Sequence, residues 1–348
     1  MGRKNNQYSL SLHQQIRTKL LDMLKAGEGR SKKADKENEN TKGHIYSFST
    51  YETYLKHCNY FARWINQKHP DCTTLKKAKK YINEYLYARC EQVNADGRPL
   101  SAWTIQTEAA ALDKLFGIDK ADVNRFQAPA RYRENIIRSR VETETDKHFS
   151  KTNNAELIEF CKGTGCRRGV LEKLERSDYW TRDNMIQKVA ELKNKPSKTT
   201  AQERMLADLT KALRTFPAEK DFLHHRKDKG GKYRFAPILG SHKEQIISRM
   251  LETESGKKVW GHVSNAADIH GYRGDYANRT YKKYARDIKD IPYDRINKGS
   301  GKKYQSEVYV CRGDERGKRL DKKAMEKASI ALGHNRICVI SDNYLRGI

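Results

Sequence analysis

The sequence predicts two domains: an all-α domain over residues 46–120 and a mixed α+β, mainly helical domain over residues 151–348. Three observations predict this. A length of 348 residues suits two domains. Apolar residues recur at helical spacing from Tyr51 to Ile118, with no strand-like alternation. Past residue 150 or so, helical stretches alternate with short β-rich runs, one of them folded back at a Gly-Gly turn.

The first 45 residues have two open readings, a disordered tail or a basic arm lying along DNA. Within it, QQIRTKLLDMLKAG has the pattern of a short amphipathic helix through Ile16, Leu20, Leu21 and Leu24. SKKADKENENTKG, charged and without large apolar residues, is expected to be a flexible linker. Ser49 or Thr50 then caps a helix carrying Tyr51, Tyr54, Leu55, Cys58, Phe61, Ala62 and Ile65 on one stripe. TLKKAKKYINEYLYARC is expected to form one helix with Leu75, Ala78, Ile82, Tyr85 and Leu86 inward. Its Lys76, Lys77, Lys79 and Lys80 lie mostly on the other face. After the NADGRP turn, Ser101 caps SAWTIQTEAAALDKLFGI. Residues 121–150, broken by Pro129, read as an interdomain linker.

In the second domain, NNAELIEFCKGTGCRRGVLEKLERSDY reads as helix, turn, helix. Residues 181–220 are helical and charged. HHRKDKGGKYRFAPILG is a β-hairpin, SHKEQIISRMLE and HGYRGDYANRTYKKYARDI are helices, KKYQSEVYVCRG is a strand, and KKAMEKASIALG is a helix ending at Gly333.

Composition narrows the function classes. The 70 Lys and Arg against 44 Asp and Glu give a net charge of +26. So large a charge costs self-repulsion unless a polyanion takes it up, and nucleic acid is the first candidate. There is no apolar run of about 18 residues to span a bilayer, and the N-terminus lacks the apolar core of a signal peptide. No membrane partner is expected, and the expected location is cytoplasmic, bacterial and nucleoid-associated. The seven cysteines are odd in number and lack zinc spacing, so they read as reduced thiols. No metal and no cofactor are expected. Lysines on one helix face are what phosphate contact requires, so Lys76, Lys77, Lys79 and Lys80 are expected to touch DNA. Lys232, Arg234, Lys302 and Lys303 are expected to do the same.

Six residues of the second half have the types that metal-free phosphodiester chemistry needs. Arg167 sits at a turn where Gly165 allows close backbone approach, and Arg273 lies one helical turn from His270. Two arginines supply planar paired donors for non-bridging phosphate oxygens and stabilise the charge of a pentacoordinate transition state. Tyr344 can attack phosphorus and hold it covalently. Lys229 can protonate a departing sugar oxygen, with Lys232 as its rival, and His270 and His334 can move protons or donate hydrogen bonds.

GTGCRRGVLEKLERSDY resembles the first arginine box of the tyrosine recombinases, the phage and mobile-element integrase family. KDKGGKYRFAPIL is similar to its hairpin lysine box, HGYRGDYA to its H-x-x-R box, and ALGHNRICVISDNYL to its terminal L-G-H…Y box. The four boxes stand in the family's order, over about residues 150–348. The resemblance implies catalytic Arg167, Lys229, His270, Arg273, His334 and the nucleophile Tyr344. It implies a core-binding domain of SAM-like fold over 46–120 and a tyrosine-recombinase catalytic domain over 151–348. Its implied reaction is site-specific integration or excision of a mobile element or phage. A 3′-phosphotyrosyl link keeps the bond energy, and the family uses neither ATP nor metal. Implied partners are double-stranded DNA at specific sites, three further copies of the chain in a tetramer on two sites, and accessory DNA-bending or directionality proteins.

The chain departs from the family pattern in places. The residue three after Arg167, acidic in many members, is Val170, and Gly274 follows Arg273. Residues 181–220 are expected to be an inserted helical hairpin and 291–323 an inserted basic strand pair. Few residues follow Tyr344, so copies are expected to meet through the insertions or the N-terminal arm. Two other functions remain open: a type IB topoisomerase-like nicking and rejoining enzyme, and a non-catalytic DNA-binding relative.

Overall fold

Ser11 opens the first helix. Its hydroxyl accepts from the Gln14 amide while the Gln14 side chain accepts from the Ser11 amide, satisfying two donors that the first turn leaves unpaired. In the computed structural model this helix, α1 (Leu12–Gly27), leads a unit spanning Met1–Asn135, and a second unit spans Ile136–Ile348. The structure describes residues 10–95, 97–132, 149–229, 231–291, 306–312, 315–334, 336–345 and 348. Lys302 and Lys303 lie outside them, as do most of the 121–150 linker and residues 292–305 of the expected strand pair.

The first unit continues through α2 (Lys32–Glu37), α3 (Phe48–Lys68), α4 (Leu75–Ala78), a 3-10 turn (Lys79–Tyr81), α5 (Ile82–Glu91) and α6 (Ala102–Phe116). One apolar core holds Ile16 and Leu20 of α1, Phe61 and Ile65 of α3, Tyr85 and Leu86 of α5, and Ala111 and Leu112 of α6. Leu12, Ile16 and Leu20 thus belong to the domain core, although the sequence pattern sets residues 1–45 apart as an arm. The expected flexible linker also contains structure. Ser31 caps α2, and Asp35, buried, accepts two hydrogen bonds from Arg30 (2.9 and 2.7 Å) and one from Tyr46 (2.9 Å). A single buried carboxylate with three donors orders a stretch that has almost no apolar residues of its own. The expected single helix over TLKKAKKYINEYLYARC is two helices with a 3-10 turn between them.

Glu108 on α6 is fully buried. Arg89 donates to both its oxygens (2.6 and 2.9 Å), Tyr85 donates at 3.1 Å, and His57 Nδ1 lies at 3.3 Å. Burial raises the Glu108 pKa, but the Arg89 and His57 hydrogen bonds outweigh it and hold the carboxyl at about 2.

The second unit is mainly helical around a small antiparallel sheet. Its elements are α7 (Ala155–Thr164), α8 (Arg168–Leu171), β1 (Tyr179–Thr181), α9 (Arg182–Asn194), α10 (Thr200–Thr215), β2 (Asp221–Asp228), β3 (Lys232–Pro237), α11 (Lys243–Glu252), α12 (Ile269–Tyr284), β4 (Val308–Val310), β5 (Arg319–Asp321), α13 (Lys322–Ala331) and α14 (Cys338–Asn343). The sheet order is β1-β2-β3, with β4 and β5 paired separately. Strand β1, which the sequence pattern does not separate from its helical surroundings, pairs Trp180 with Phe222. In the hairpin, His225 faces Arg234 and Asp228 faces Lys232, with the register slipping between them at Lys227, whose φ is +46°. Phe222, Phe235 and Ala236 of the sheet pack with Tyr276 and Ala277 of α12, Ala328 of α13 and Ile340 of α14 in the principal core. Among the described residues no helix is long and apolar enough to cross a membrane.

Glu108 gives a stability prediction. Glu108→Gln leaves Arg89 without its anion and is expected to cost about 3–5 kcal/mol, read by urea denaturation of the full chain. The folded-state pKa is depressed, so this contribution is complete above the ordinary carboxylate range and fades as pH falls toward about 2. An equal cost at pH 7 and pH 2 would rule out the ion pair as its source.

Candidate active site

The site forms where four segments meet: the α7–α8 turn, the β2–β3 hairpin, the start of α12, and the chain from α13 into α14. Gly165 ends α7 at φ +60°, and a Cβ there would lie 2.3 Å from the Tyr276 ring. Glycine therefore permits both the left-handed turn and close packing. The turn frees the Gly165 carbonyl to accept from Arg273 Nη1 and sets Arg167 at the start of α8. The adjacent Arg168 points elsewhere, donating to the carbonyls of Val263 (2.9 Å) and Ser264 (2.8 Å). Of the two neighbouring arginines, Arg167 is the one in the site.

Asp228, at the end of β2, is buried and carries the electrostatics. It accepts from Arg167 Nη1 at 2.5 Å and from Arg234 Nη1, and its Oδ1 accepts from the Lys229 amide at 2.6 Å. Burial raises the Asp228 pKa, but the Arg167 hydrogen bond and the Arg234 charge overcome it and hold the group far below the usual carboxylate range. Arg234 was expected to touch DNA; it is instead buried at 7% exposure. It donates to Asp228, to the Ala331 carbonyl (2.8 Å) and to His225 Nδ1 (2.7 Å). Its place on β3 explains this, since Arg234 faces His225 across the ladder, pointing into the protein. His225 is fully buried; burial, then the Arg234 charge, keeps it neutral by pushing its pKa well down.

Arg273 on α12 is 1% exposed. It donates to the Gly165 and Leu332 carbonyls and, through Nε, to the Tyr344 hydroxyl at 3.4 Å. These bonds use three of the five guanidinium N–H groups. Burial, followed by the Arg234 charge, brings the Arg273 pKa down to about 10.

The tail turns sharply between His334 and Tyr344. Gly333 takes φ +69°, and a Cβ there would sit 2.8 Å from Arg234 Nη1. His334 then donates its amide to the Ser329 carbonyl at 2.8 Å. Helix α14 ends at Asn343, and Tyr344 caps it with non-helical backbone. In one continuous helix, ten residues' separation would set the two side chains about 15 Å apart along the axis and about 80° apart around it. The break brings His334 Nε2 to 3.2 Å from the Tyr344 hydroxyl, and the His270 ring centroid to 5.6 Å from that of Tyr344. Burial, then the charges of Arg273, Arg167, Arg234 and Lys232, hold His334 at about 4. A neutral imidazole accepting from the tyrosine O–H, with Arg273 donating to the same oxygen, is a consistent polarity.

Five of the six expected site residues thus share one locus: Arg167, His270, Arg273, His334 and Tyr344. Lys229 is exposed at the hairpin turn, anchored through its amide to Asp228. Lys232, also exposed, opens β3 and shares a cleft with His334. Lys76, Lys77, Lys79 and Lys80 are exposed on α4 and the 3-10 turn of the first unit, with Lys80 Nζ 4.8 Å from the Tyr81 ring centroid. A side chain at Gly274 would meet nothing within 4 Å, so space does not require that glycine. Asp228 and His225 were missed: within HHRKDKGGK an acid among lysines reads as a solvated charge, and only the fold reveals its burial.

No family model matches the chain, and no curated protein matches it.

Protonation behaviour follows from this geometry. The His334 pKa is lowered relative to the unfolded state, so its contribution to stability is present above the unfolded value near 6.5 and lost as pH falls toward about 4. His334 ring proton shifts are expected to stay flat from pH 8 to pH 5 and to move only near pH 4. A midpoint near 6.5 would remove the assigned polarity of the His334–Tyr344 bond.

Proposed function

We propose that this protein breaks and rejoins DNA strands by phosphoryl transfer to Tyr344, as a site-specific recombinase of the tyrosine type. The observation that carries the reading is the Tyr344 hydroxyl, held at 3.2 Å from His334 Nε2 and 3.4 Å from Arg273 Nε, beside Arg167. A tyrosine serving only as packing has no need of a base and a cation on its oxygen.

The steps follow from those groups. The Tyr344 oxygen attacks phosphorus as its proton passes to neutral His334. Arg167 and Arg273 stabilise the charge gathered on the non-bridging oxygens. The bond to the 5′ oxygen breaks, leaving a 3′-phosphotyrosyl ester, and a lysine protonates the departing oxygen. Attack by a 5′ hydroxyl reverses every step and restores Tyr344. Lys232 is favoured as that acid because it shares a cleft with His334; Lys229, on the other side of the hairpin turn, is the alternative. His270 adds a further imidazole beside the tyrosine ring. The charge of +26 supports duplex DNA as substrate. Assembly of four copies on two sites, and accessory bending proteins, belong to the same proposal.

A nicked suicide substrate tests the chemistry. The wild type is expected to give a covalent protein–DNA band on a denaturing gel, and Tyr344→Phe none. A band from Tyr344→Phe would move the nucleophile elsewhere. Arg167→Ala is expected to slow cleavage about 10²–10³-fold, the usual effect of removing a donor from a charged transition state. For the acid, Lys232→Ala is expected to stall on ordinary DNA and recover on a 5′-phosphorothiolate, whose leaving group needs no proton. Recovery of Lys229→Ala instead would transfer the role. Exchange of arms between two mixed sites separates recombination from simple relaxation.

A further inference from the structure

Helix α10, in the stretch that reads as an insertion, carries Arg204, Asp208 and Lys211 four and three residues apart, on one face. They form one wall of a cleft of about 410 Å³. Strand β3 supplies Lys232 and Tyr233, and the turn after α13 supplies His334. The cleft therefore runs from α10 to the imidazole that touches the Tyr344 hydroxyl. Arg204, Lys211 and Lys232 oppose the single carboxylate of Asp208, so the walls are net cationic even with Arg234 committed to Asp228. The side chains of Arg204 and Lys211 are exposed and make no hydrogen bond or ion pair among the described residues.

We propose that this cleft holds the sugar–phosphate backbone of the DNA strand running on from the phosphate at Tyr344, with Arg204 and Lys211 each on a phosphate. The spacing fits. Seven residues of helix advance about 10.5 Å, and phosphates on one strand advance about 3.4 Å each along the duplex axis. The two side chains therefore span about three phosphate steps. Such contacts set register without reading sequence, and they give the inserted helix a role in substrate positioning. This proposal rests on the phosphoryl-transfer reading.

The test is the double variant Arg204→Ala, Lys211→Ala, which changes only exposed side chains. Duplex affinity is measured across salt concentrations, and single-turnover cleavage is measured with DNA saturating. Weaker binding is expected, with the slope of log affinity against log salt shallower by about 1.8, two phosphates at about 0.9 each. Cleavage at saturation is expected to fall less than affinity does. Lys188→Ala with Lys193→Ala, on α9, serves as the control and is expected to leave the slope alone. An unchanged slope in the α10 variant overturns the proposal, and so does an equal change in the control. If the wild type forms no covalent complex while the slope still falls, the cleft stands as a nucleic-acid site and the phosphoryl-transfer reading fails on its own.

Discussion

The candidate site depends on one buried carboxylate, Asp228. Three guanidinium groups, those of Arg167, Arg234 and Arg273, lie close enough to repel one another, the last two in the buried region around Cys166 and His225 where little water screens them. Asp228 offsets that repulsion directly for two of them. Burying a lone aspartate is strongly unfavourable, and placing it between two arginines, with a backbone amide on its other oxygen, makes the burial tolerable. The β2–β3 hairpin is thereby tied to the α7–α8 turn, and through Arg234 and the Ala331 carbonyl to the end of α13.

The third arginine is fixed differently. Arg273 directs donors to the Gly165 and Leu332 carbonyls, so it is held by backbone rather than by a counter-ion. Its charge is consequently not neutralised at close range, and it is this guanidinium that reaches the tyrosine oxygen. The three cations thus differ in what they do. Arg234 is structural, Arg273 faces the hydroxyl, and Arg167 is anchored yet still about a quarter exposed. Burial, and after it the same positive field, keep His334 neutral, which lets it accept a proton. Val170, three residues after Arg167, is buried in an apolar cluster with Leu171 and Leu174, and Asp228 holds Arg167 from the hairpin.

Much of the helical content was legible because it depends on local pattern. The stripe Tyr51, Cys58, Phe61, Ala62 and Ile65 is buried on α3, and Ser101 caps α6. The hairpin was legible from Gly230 and Gly231 between two β-rich runs. What escaped local pattern was set by partners far along the chain. Leu12, Ile16 and Leu20 look like a marginal helix until α3 covers them. Asp35 is a nearer case: Arg30, five residues away, and Tyr46, eleven away, converge on it without any periodic or capping pattern to mark them. Strand β1 is three residues long and exists through its pairing with β2.

The sequence by itself determined which chemical groups are available: a large positive charge, a tyrosine near the C-terminal end of the chain, two histidines and arginines at spaced turns. It also determined the two glycines that allow the close turns, since only a residue without Cβ fits at φ +60° against the Tyr276 ring or at φ +69° against Arg234. Tertiary structure decided which of those groups meet. It chose Arg167 over Arg168, withdrew Arg234 from the surface, and brought Asp228 out of a lysine-rich run into the interior. It also started a separate short helix, α14, after His334, so that His334 and Tyr344 face each other. The physical reason is range: periodicity and capping act within a few residues, whereas burial of charge and convergence of side chains are settled only when segments 60 to 110 residues apart pack together.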